Sequence, residues 1–140
     1  MRAIRSRNTR PELLVRSALH SAGFRYRLNG CKLPGRPDLV LARYRAVIFV
    51  HGCFWHGHDC KYFRLPSTRT DFWSSKIDGN RSRDAANIVK LNAEGWHVLI
   101  VWECLTKGPA PLVAARLEAV AAHLRGLGSA PAPGVTSFRS

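Results

Sequence analysis

The segment spanning residues 51–60 constrains this chain more than any other part of its sequence. Its ten residues, HGCFWHGHDC, contain three of the six histidines and two of the four cysteines of the chain. Tetrahedral zinc prefers thiolate and imidazole ligands. The segment supplies three such ligands, and a further cysteine follows the apolar run that ends at Trp102. The pattern predicts a closed, structural zinc site with the ligands Cys53, His58, Cys60 and Cys104.

A simpler interpretation of the same segment is that its cysteines are buried in the core and its histidines face solvent. A single cysteine or histidine would favour that interpretation. The clustering and spacing favour the metal site instead. His51 and His56 are not needed for zinc, and they remain available for chemistry beside it.

The charge of the chain points to a polyanionic partner. Lys and Arg number 22 against nine Asp and Glu, which gives a formal net charge of +13 spread along the whole sequence. Nucleic acid and an anionic membrane both attract such a charge. No run approaches the roughly 20 apolar residues of a membrane span. No amphipathic anchor stands out either, so nucleic acid is favoured.

The length and the N-terminal sequence indicate one cytoplasmic domain. A chain of 140 residues with 46% hydrophobic composition can bury one core and is short for two. The first eight residues lack the apolar stretch of a secretory signal, so a reducing cytoplasm is expected. Its cysteines are then thiols or metal ligands and not disulfides, with Cys31 outside the metal pattern.

Hydrophobic periodicity and turn signals predict an α/β domain with a small mixed β-sheet flanked by helices. A capping box at Thr9 and Glu12 begins the first helix. The predicted helices span residues 9–22, 71–94 with a break at 78–80, and 111–124; the predicted strands span 24–28, 38–41, 46–50 and 96–102. We predict one domain over residues 1–125 and a disordered tail over 126–140, where Gly, Pro, Ala and Ser dominate.

Three residues match the requirements of phosphodiester hydrolysis, which needs charge neutralisation, a base and an acid. Asp38 lies at the start of a predicted hairpin and offers a hard oxygen ligand for Mg²⁺. His51 ends the neighbouring strand, and Glu12 in the first helix can complete the group. A Pro-Asp pair also commonly starts a turn, and Glu12 can be only a capping residue. Both alternatives stay open at this point.

Several motifs taken together resemble the very short patch repair endonuclease family. They are residues 33–38 (LPGRPD), 47–50 (VIFV), 51–60, 66–73 (PSTRTDFW) and 95–104 (GWHVLIVWEC). The match extends to about Gly108. The resemblance implies a bacterial enzyme with a restriction-endonuclease-like core. It implies nicking of the thymine-bearing strand next to a T·G mismatch, which deamination of 5-methylcytosine creates, and a functional link to a cytosine-5 DNA methyltransferase. A monomer is expected, because one nick needs one active site.

The resemblance also implies roles for individual residues. Asp38 and the backbone carbonyl of Val50 correspond to the Mg²⁺ ligands, and the four predicted zinc ligands correspond to a structural zinc site. His51 and His56 correspond to catalytic histidines, and Glu12 to an auxiliary acid. The best-known members carry threonine where this chain has Val50, a change that keeps the carbonyl and loses the hydroxyl. Phe49 and His51 occupy positions at which other restriction endonucleases carry an acid and a lysine. A histidine must therefore supply the acid or base, and which histidine does so stays open.

DNA contacts are predicted for a further group of residues. Phe54 and Trp55 are either core residues or a rigid wedge between base steps. The resemblance favours the wedge for both, adds Trp73, and matches Met1 with a minor-groove probe. Lys76 and Asn80, four residues apart on a predicted helix, can hydrogen-bond to base edges. Phosphate contacts are predicted for Arg2, Arg5, Arg7, Arg10, Arg36, Arg43, Arg45, Arg64, Arg69, Arg81 and Arg83.

Two other functions compete with mismatch repair. A restriction-like or defence nuclease of the same fold would cut ordinary duplex with the same groups. A zinc-containing DNA-binding module without catalysis would explain the charge and the cysteines. That last hypothesis leaves Asp38, His51 and His56 without a purpose.

Overall fold

A mixed five-stranded β-sheet carries the fold. The computed structural model describes residues 9–28, 30, 32–61, 63–127 and 132–140. The strands lie in the order β1-β2-β3-β4-β5. Within the described residues the elements are α1 (Arg10–Ser21), β1 (Arg27–Leu28), β2 (Leu39–Leu41), β3 (Ala46–His51), α2 (Thr70–Ala93), β4 (His97–Trp102), α3 (Ala110–Gly126) and β5 (Val135–Phe138), with 3₁₀ turns at Ala42–Tyr44 and Glu103–Thr106.

The direction of the strands brings their ends together at one edge. β1, β2 and β3 pair antiparallel, whereas β3, β4 and β5 pair parallel. His51 lies opposite Trp102, and Val101 lies opposite Phe138. Residues that follow these three parallel strands therefore leave the sheet at the same edge. The predicted α/β fold with a small mixed sheet is confirmed.

Both faces of the sheet are buried, which explains the unbroken apolar runs of β3 and β4. On one face, Ile48 and Leu99 pack with residues of α1 and α3 such as Leu19 and Leu124. The opposite face packs against Leu91 of α2, with contributions from Val47, Phe49, Val98 and Ile100. The sheet is thus a buried layer that holds the ends of β3 and β4 rigidly.

Three local predictions differ from the structure. Thr9 is the N-cap of α1, but its side chain makes no capping hydrogen bond, and Glu12 is only 2% exposed. The predicted strand 24–28 is reduced to β1. α2 continues through residues 78–80, where a break was predicted. Asn80 donates a hydrogen bond to the carbonyl of Trp55, and this tertiary contact outweighs the weak helix propensity of the segment.

The predicted disordered tail over 126–140 is wrong for the residues that the structure describes there. α3 continues to Gly126, Leu127 is buried, and Val135–Phe138 forms β5 beside β4. The domain therefore extends beyond residue 125. A four-residue strand after a Gly- and Pro-rich stretch gives too short a pattern to recognise, because its stability comes from pairing with β4. Among the described helices, none is long and apolar enough to cross a membrane.

Candidate active site and metal site

A cleft of ≈ 620 Å³ opens at the edge of the sheet where β3 ends. The start of α1, the end of β3, the following loop and α2 all contribute to its walls. Of the predicted site residues, the lining includes Glu12, Asp38, Val50, His51, Phe54, Trp55, His56 and Asn80. The structure therefore gathers residues from 12 to 80 along the chain around one space.

Asp38 lies at the base of the cleft in a position suited to a cation. One carboxylate oxygen, Oδ2, accepts a hydrogen bond of 2.7 Å from the backbone N–H of Val50. Burial and the nearby Glu12 carboxylate raise the pKa of Asp38 to about 7, although the Val50 hydrogen bond lowers it. Two acidic groups in one sheltered site disfavour each other's charge. A bound divalent cation would offset that repulsion, so the donor set fits Mg²⁺.

His51 is a neutral imidazole held among aromatic rings. It is 6% exposed, and burial, with a smaller effect of His56, lowers its pKa to about 3. Its ring stacks on that of His56 at 3.8 Å between centroids, with an angle of 2° between planes. Among the described residues its Nδ1 has no hydrogen-bond partner. His51 can accept a proton or donate its neutral N–H, but it does not supply positive charge near neutral pH.

His56 has a carboxylate partner that no sequence motif indicates. Its Nδ1 lies 2.5 Å from Oδ2 of Asp84, which lies about one turn after Asn80 on α2. A carboxylate in this position fixes the imidazole tautomer and stabilises the charged ring that forms on proton uptake. Together with Asp84, His56 is therefore equipped to act as a base.

The four predicted zinc ligands lie together beside the cleft. The Sγ atoms of the three cysteines and a ring nitrogen of His58 all lie within 4.8 Å of one another. Sγ of Cys104 and Nδ1 of His58 are 3.6 Å apart. Tetrahedral zinc with ordinary bond lengths separates a sulfur and a nitrogen ligand by about 3.6 Å. The donor types and their spacing therefore fit a tetrahedral site formed by Cys53, His58, Cys60 and Cys104.

The surroundings of His58 and Cys104 favour the states that bind metal, whereas burial and the neighbouring cysteines raise the pKa of Cys53 to about 12. His58 is buried against the ring of Trp102, at 4.0 Å between centroids, and burial together with the charge of Arg139 lowers its pKa. A neutral imidazole is the form that ligates zinc. Burial alone would raise the pKa of Cys104, but hydrogen bonds from Ser140 and the neighbouring cysteines lower it overall. Cys104 is thus disposed to be a thiolate.

The loop after β3 and the first turn of α2 together form an aromatic cluster. Phe54, Trp55 and Trp73 contact one another with ring centroids 5.1–5.8 Å apart. All three are partly exposed, and none belongs to either core cluster. Phe54 and Trp55 line the cleft. The structure therefore does not favour the alternative that Phe54 and Trp55 are ordinary core residues, and an apolar surface of mutually tilted rings borders the candidate catalytic groups.

The other predicted DNA contacts differ in how the structure places them. Lys76 is exposed one turn before Asn80 on the continuous helix α2. Asn80 lies at the cleft and donates a 2.8 Å hydrogen bond to the carbonyl of Trp55. Exposed side chains are found for Arg10, Arg36, Arg43, Arg45, Arg64, Arg69, Arg81 and Arg83. Met1, Arg2, Arg5, Arg7 and Cys31 lie outside the described residues.

Sequence reasoning missed two residues that line or support the site. Asp84 is one acidic residue in a polar helix, and no local motif links it to His56, which lies 28 positions away. Glu103 lines the cleft, and its carboxylate accepts a hydrogen bond of 3.4 Å from the backbone of Cys53. Its position directly before the ligand Cys104 is a signal that could have selected it.

The sequence is similar to that of known strand-cleaving enzymes. Residues 1–62 match a family model described as the DNA mismatch endonuclease Vsr. The type II nicking enzyme V.XorIIP of Xanthomonas oryzae is 56% identical over 104 residues, which cover 74% of this chain and 76% of the relative. The DNA mismatch endonuclease Vsr of Escherichia coli is 51% identical over 108 residues, or 77% of this chain and 69% of the relative. The type II nicking enzyme V.NmeAIP of Neisseria meningitidis is 47% identical over 110 residues, 79% of each chain.

Proposed function

Because the chain belongs to the Vsr family of DNA mismatch endonucleases, we propose that it nicks the thymine-bearing strand next to a T·G mismatch. The chain is a DNA endonuclease with a restriction-endonuclease-like core, and its family implies dependence on a divalent metal ion. The mismatch we propose as substrate arises when 5-methylcytosine deaminates. We further propose a functional link to a cytosine-5 DNA methyltransferase and action as a monomer.

One observation supports this proposal above all others. The cleft combines three features: a carboxylate suited to a cation, a pair of stacked histidines, and two aromatic side chains. The two aromatic side chains lie on the short loop after β3. Cutting a phosphodiester requires the first two features. Prising apart a mispaired step requires the third, since unstacking costs least where pairing is already weak.

We assign the catalytic metal to Asp38 and the carbonyl of Val50, with Glu12 as an auxiliary acid. Mg²⁺ bound there would neutralise the charge that develops on the phosphate. The hydrogen bond from the backbone N–H of Val50 orients the Asp38 carboxylate. The Glu12 carboxylate adds negative potential at the same place, which favours a cation over an empty, doubly charged site.

The two histidines have separate roles in the proposed cleavage. His56, held by Asp84, accepts the proton of the attacking water, and the carboxylate stabilises the imidazolium. His51 stays neutral and stacked on His56, so it assists with a hydrogen bond from its ring and not with charge. With this assignment we choose between the two alternatives that the sequence leaves open.

Zinc is proposed for the cluster of three cysteines and His58, with a structural role. The loop after β3 carries three of these ligands, and it also carries His56, Phe54 and Trp55. A metal that ties this loop to Cys104, after β4, holds the base and the aromatic surface in fixed relation to Asp38. Phe54, Trp55 and Trp73 form the proposed wedge, while Lys76, Asn80 and Met1 are proposed to contact the bases.

The proposal is tested with two duplexes that differ only in one base pair. A T·G duplex and the matched C·G duplex, labelled on both strands, are incubated with the protein and Mg²⁺. We expect one nick, in the thymine strand of the mismatched duplex. Asp38→Ala should bind the mismatch and leave it intact, and full activity in that variant would contradict the metal assignment.

Other outcomes identify the competing functions. Equal cutting of matched and mismatched duplexes would indicate a restriction-like or defence nuclease without mismatch preference. Binding of both duplexes without any cutting, in protein that holds zinc, would indicate a DNA-binding module without catalysis.

A further inference from the structure

The two residues that follow β5 lie against the Cys/His cluster. β5 pairs parallel with β4, and Phe138 lies opposite Val101. Both strands therefore lead to the same edge of the sheet, where Cys104 follows β4 and residues 139 and 140 follow β5. The strand pairing brings the end of β5 to the metal ligands, which are more than 30 positions earlier in the sequence.

Each of these residues makes a hydrogen bond to the cluster or its loop. The backbone N–H of Ser140 donates to Sγ of Cys104 at 3.4 Å. The guanidinium of Arg139 donates to the carbonyl of Asp59 at 2.7 Å, and Asp59 lies between the ligands His58 and Cys60. One contact thus reaches a ligand atom, and the other holds the loop that carries the three other ligands.

We propose that Arg139 and Ser140 form a clasp that retains the metal ion in the Cys/His site. Zinc with three thiolates and one neutral imidazole carries about one net negative charge. A hydrogen bond to a ligand sulfur and a nearby guanidinium both stabilise that negative charge. Partners of metal ligands in this position tune affinity and orientation without touching the metal.

The clasp rests on the proposed structural zinc, and it concerns metal retention and not the cleavage step. Arg139 and Ser140 do not line the cleft. Loss of the clasp should therefore weaken zinc binding while leaving the zinc-saturated enzyme able to nick. A purely structural role of β5 makes a different prediction, since it would lower the unfolding temperature without changing zinc affinity in the folded protein.

The test measures zinc affinity of the full chain, free of DNA, by competition with a chromophoric chelator. Ser140→Pro removes the amide donor, and Ser140→Thr is its matched control because it keeps both the amide and a hydroxyl. Arg139→Gln removes the charge, and its control is Arg125→Gln, an exposed arginine paired with Glu118 on α3. We expect zinc affinity to fall on the order of 10-fold in Ser140→Pro and in Arg139→Gln, with both controls close to wild type.

The possible results distinguish a failure of the clasp from a failure of the zinc assignment on which it rests. Unchanged zinc affinity in both Ser140→Pro and Arg139→Gln, with zinc bound to the wild type, would overturn the clasp alone. A wild-type chain that binds no zinc would overturn both the zinc assignment and the clasp. Arg139→Gln provides the answer if Ser140→Pro fails to fold, because its substitution leaves the backbone unchanged.

Discussion

We propose different chemical roles for the two histidines in the cleft because their nearest neighbours differ. Asp84 supports a positive charge on His56, whereas His51 is enclosed by rings and kept neutral. The carboxylate selects the base, and the stacking holds the two rings in parallel. Under this proposal, a residue on a helix without any motif determines which histidine is the base.

Replacing Asp84 with asparagine should impair the chemical step. Asparagine keeps the size of the side chain but cannot stabilise an imidazolium, and it can present the wrong hydrogen-bonding group to Nδ1 of His56. Single-turnover nicking should fall by about 10²- to 10⁴-fold, with mismatch affinity unchanged. Asp78→Asn, an exposed aspartate on the same helix, is the matched control. Equal nicking rates in the two variants would show that Asp84 does not assist His56.

Replacing Asp38 with asparagine should make the metal-free protein more stable at high pH. The pKa of Asp38 is raised from 3.8 to about 7, so the folded state holds a proton that the unfolded state releases between these values. Stability from this group is present at low pH and is lost as pH rises through about 7. Urea unfolding without Mg²⁺ should show a larger gain for Asp38→Asn at pH 8 than at pH 4. A gain that is independent of pH would contradict the raised pKa.

At the scale of single elements, the loop after β3 combines functions that are usually separate. The same ten residues contain three candidate zinc ligands, two aromatic side chains that border the cleft, and His56, the proposed base. The backbone N–H of His58 donates to the carbonyl of Cys53 at 2.8 Å, which begins to shape the loop. Such short local contacts alone do not hold a partly exposed loop firmly, so we expect the proposed zinc to do so.

Removal of zinc should therefore disorder the loop and abolish nicking together. Cys60→Ser should retain less than a tenth of the zinc affinity of the wild type, since a hydroxyl is a much poorer zinc ligand than a thiolate. Tryptophan fluorescence of Trp55 and Trp73 should change in parallel with nicking during chelation. Cys31→Ser is the control, because Cys31 is not part of the predicted ligand set. Full nicking by a zinc-free protein with unchanged fluorescence would contradict this coupling.

The secondary-structure elements also indicate which parts of the fold and of the candidate site can be predicted from the sequence. The ligands of the Cys/His cluster were predictable because their chemistry is local and three of them lie within eight residues. Asp84 was not, because its role depends on how α2 packs beside His56. β5 and the continuity of α2 were missed for the same reason, since pairing with β4 and the Asn80 contact to Trp55 are tertiary interactions.

In the molecule as a whole, basic and acidic side chains are concentrated in different places. The net charge of +13 exceeds what a small active site needs, and eight of the predicted phosphate-binding arginines are exposed in the described residues. The acidic groups Glu12, Asp38 and Asp84 are instead gathered at or beside the cleft. The surface attracts the DNA backbone, and the acidic cleft favours the cation that cutting requires.

This separation of basic surface and acidic cleft predicts that DNA affinity falls steeply as salt concentration rises. The preference for the mismatch should not change with salt. Each phosphate contact releases condensed counterions, so log affinity falls with log salt concentration by about 0.9 per contact. Arg81→Gln and Arg83→Gln should each weaken binding to matched and mismatched duplex by the same factor and reduce the slope by about one. Trp55→Ala should leave the slope unchanged and lower only the preference for the mismatch, because stacking against bases involves no counterions. Fluorescence anisotropy titrations over a range of salt concentrations measure both quantities. A slope near zero for the wild type would exclude phosphate contacts as the source of affinity, and an altered slope in Trp55→Ala would show that charge and wedge are not independent.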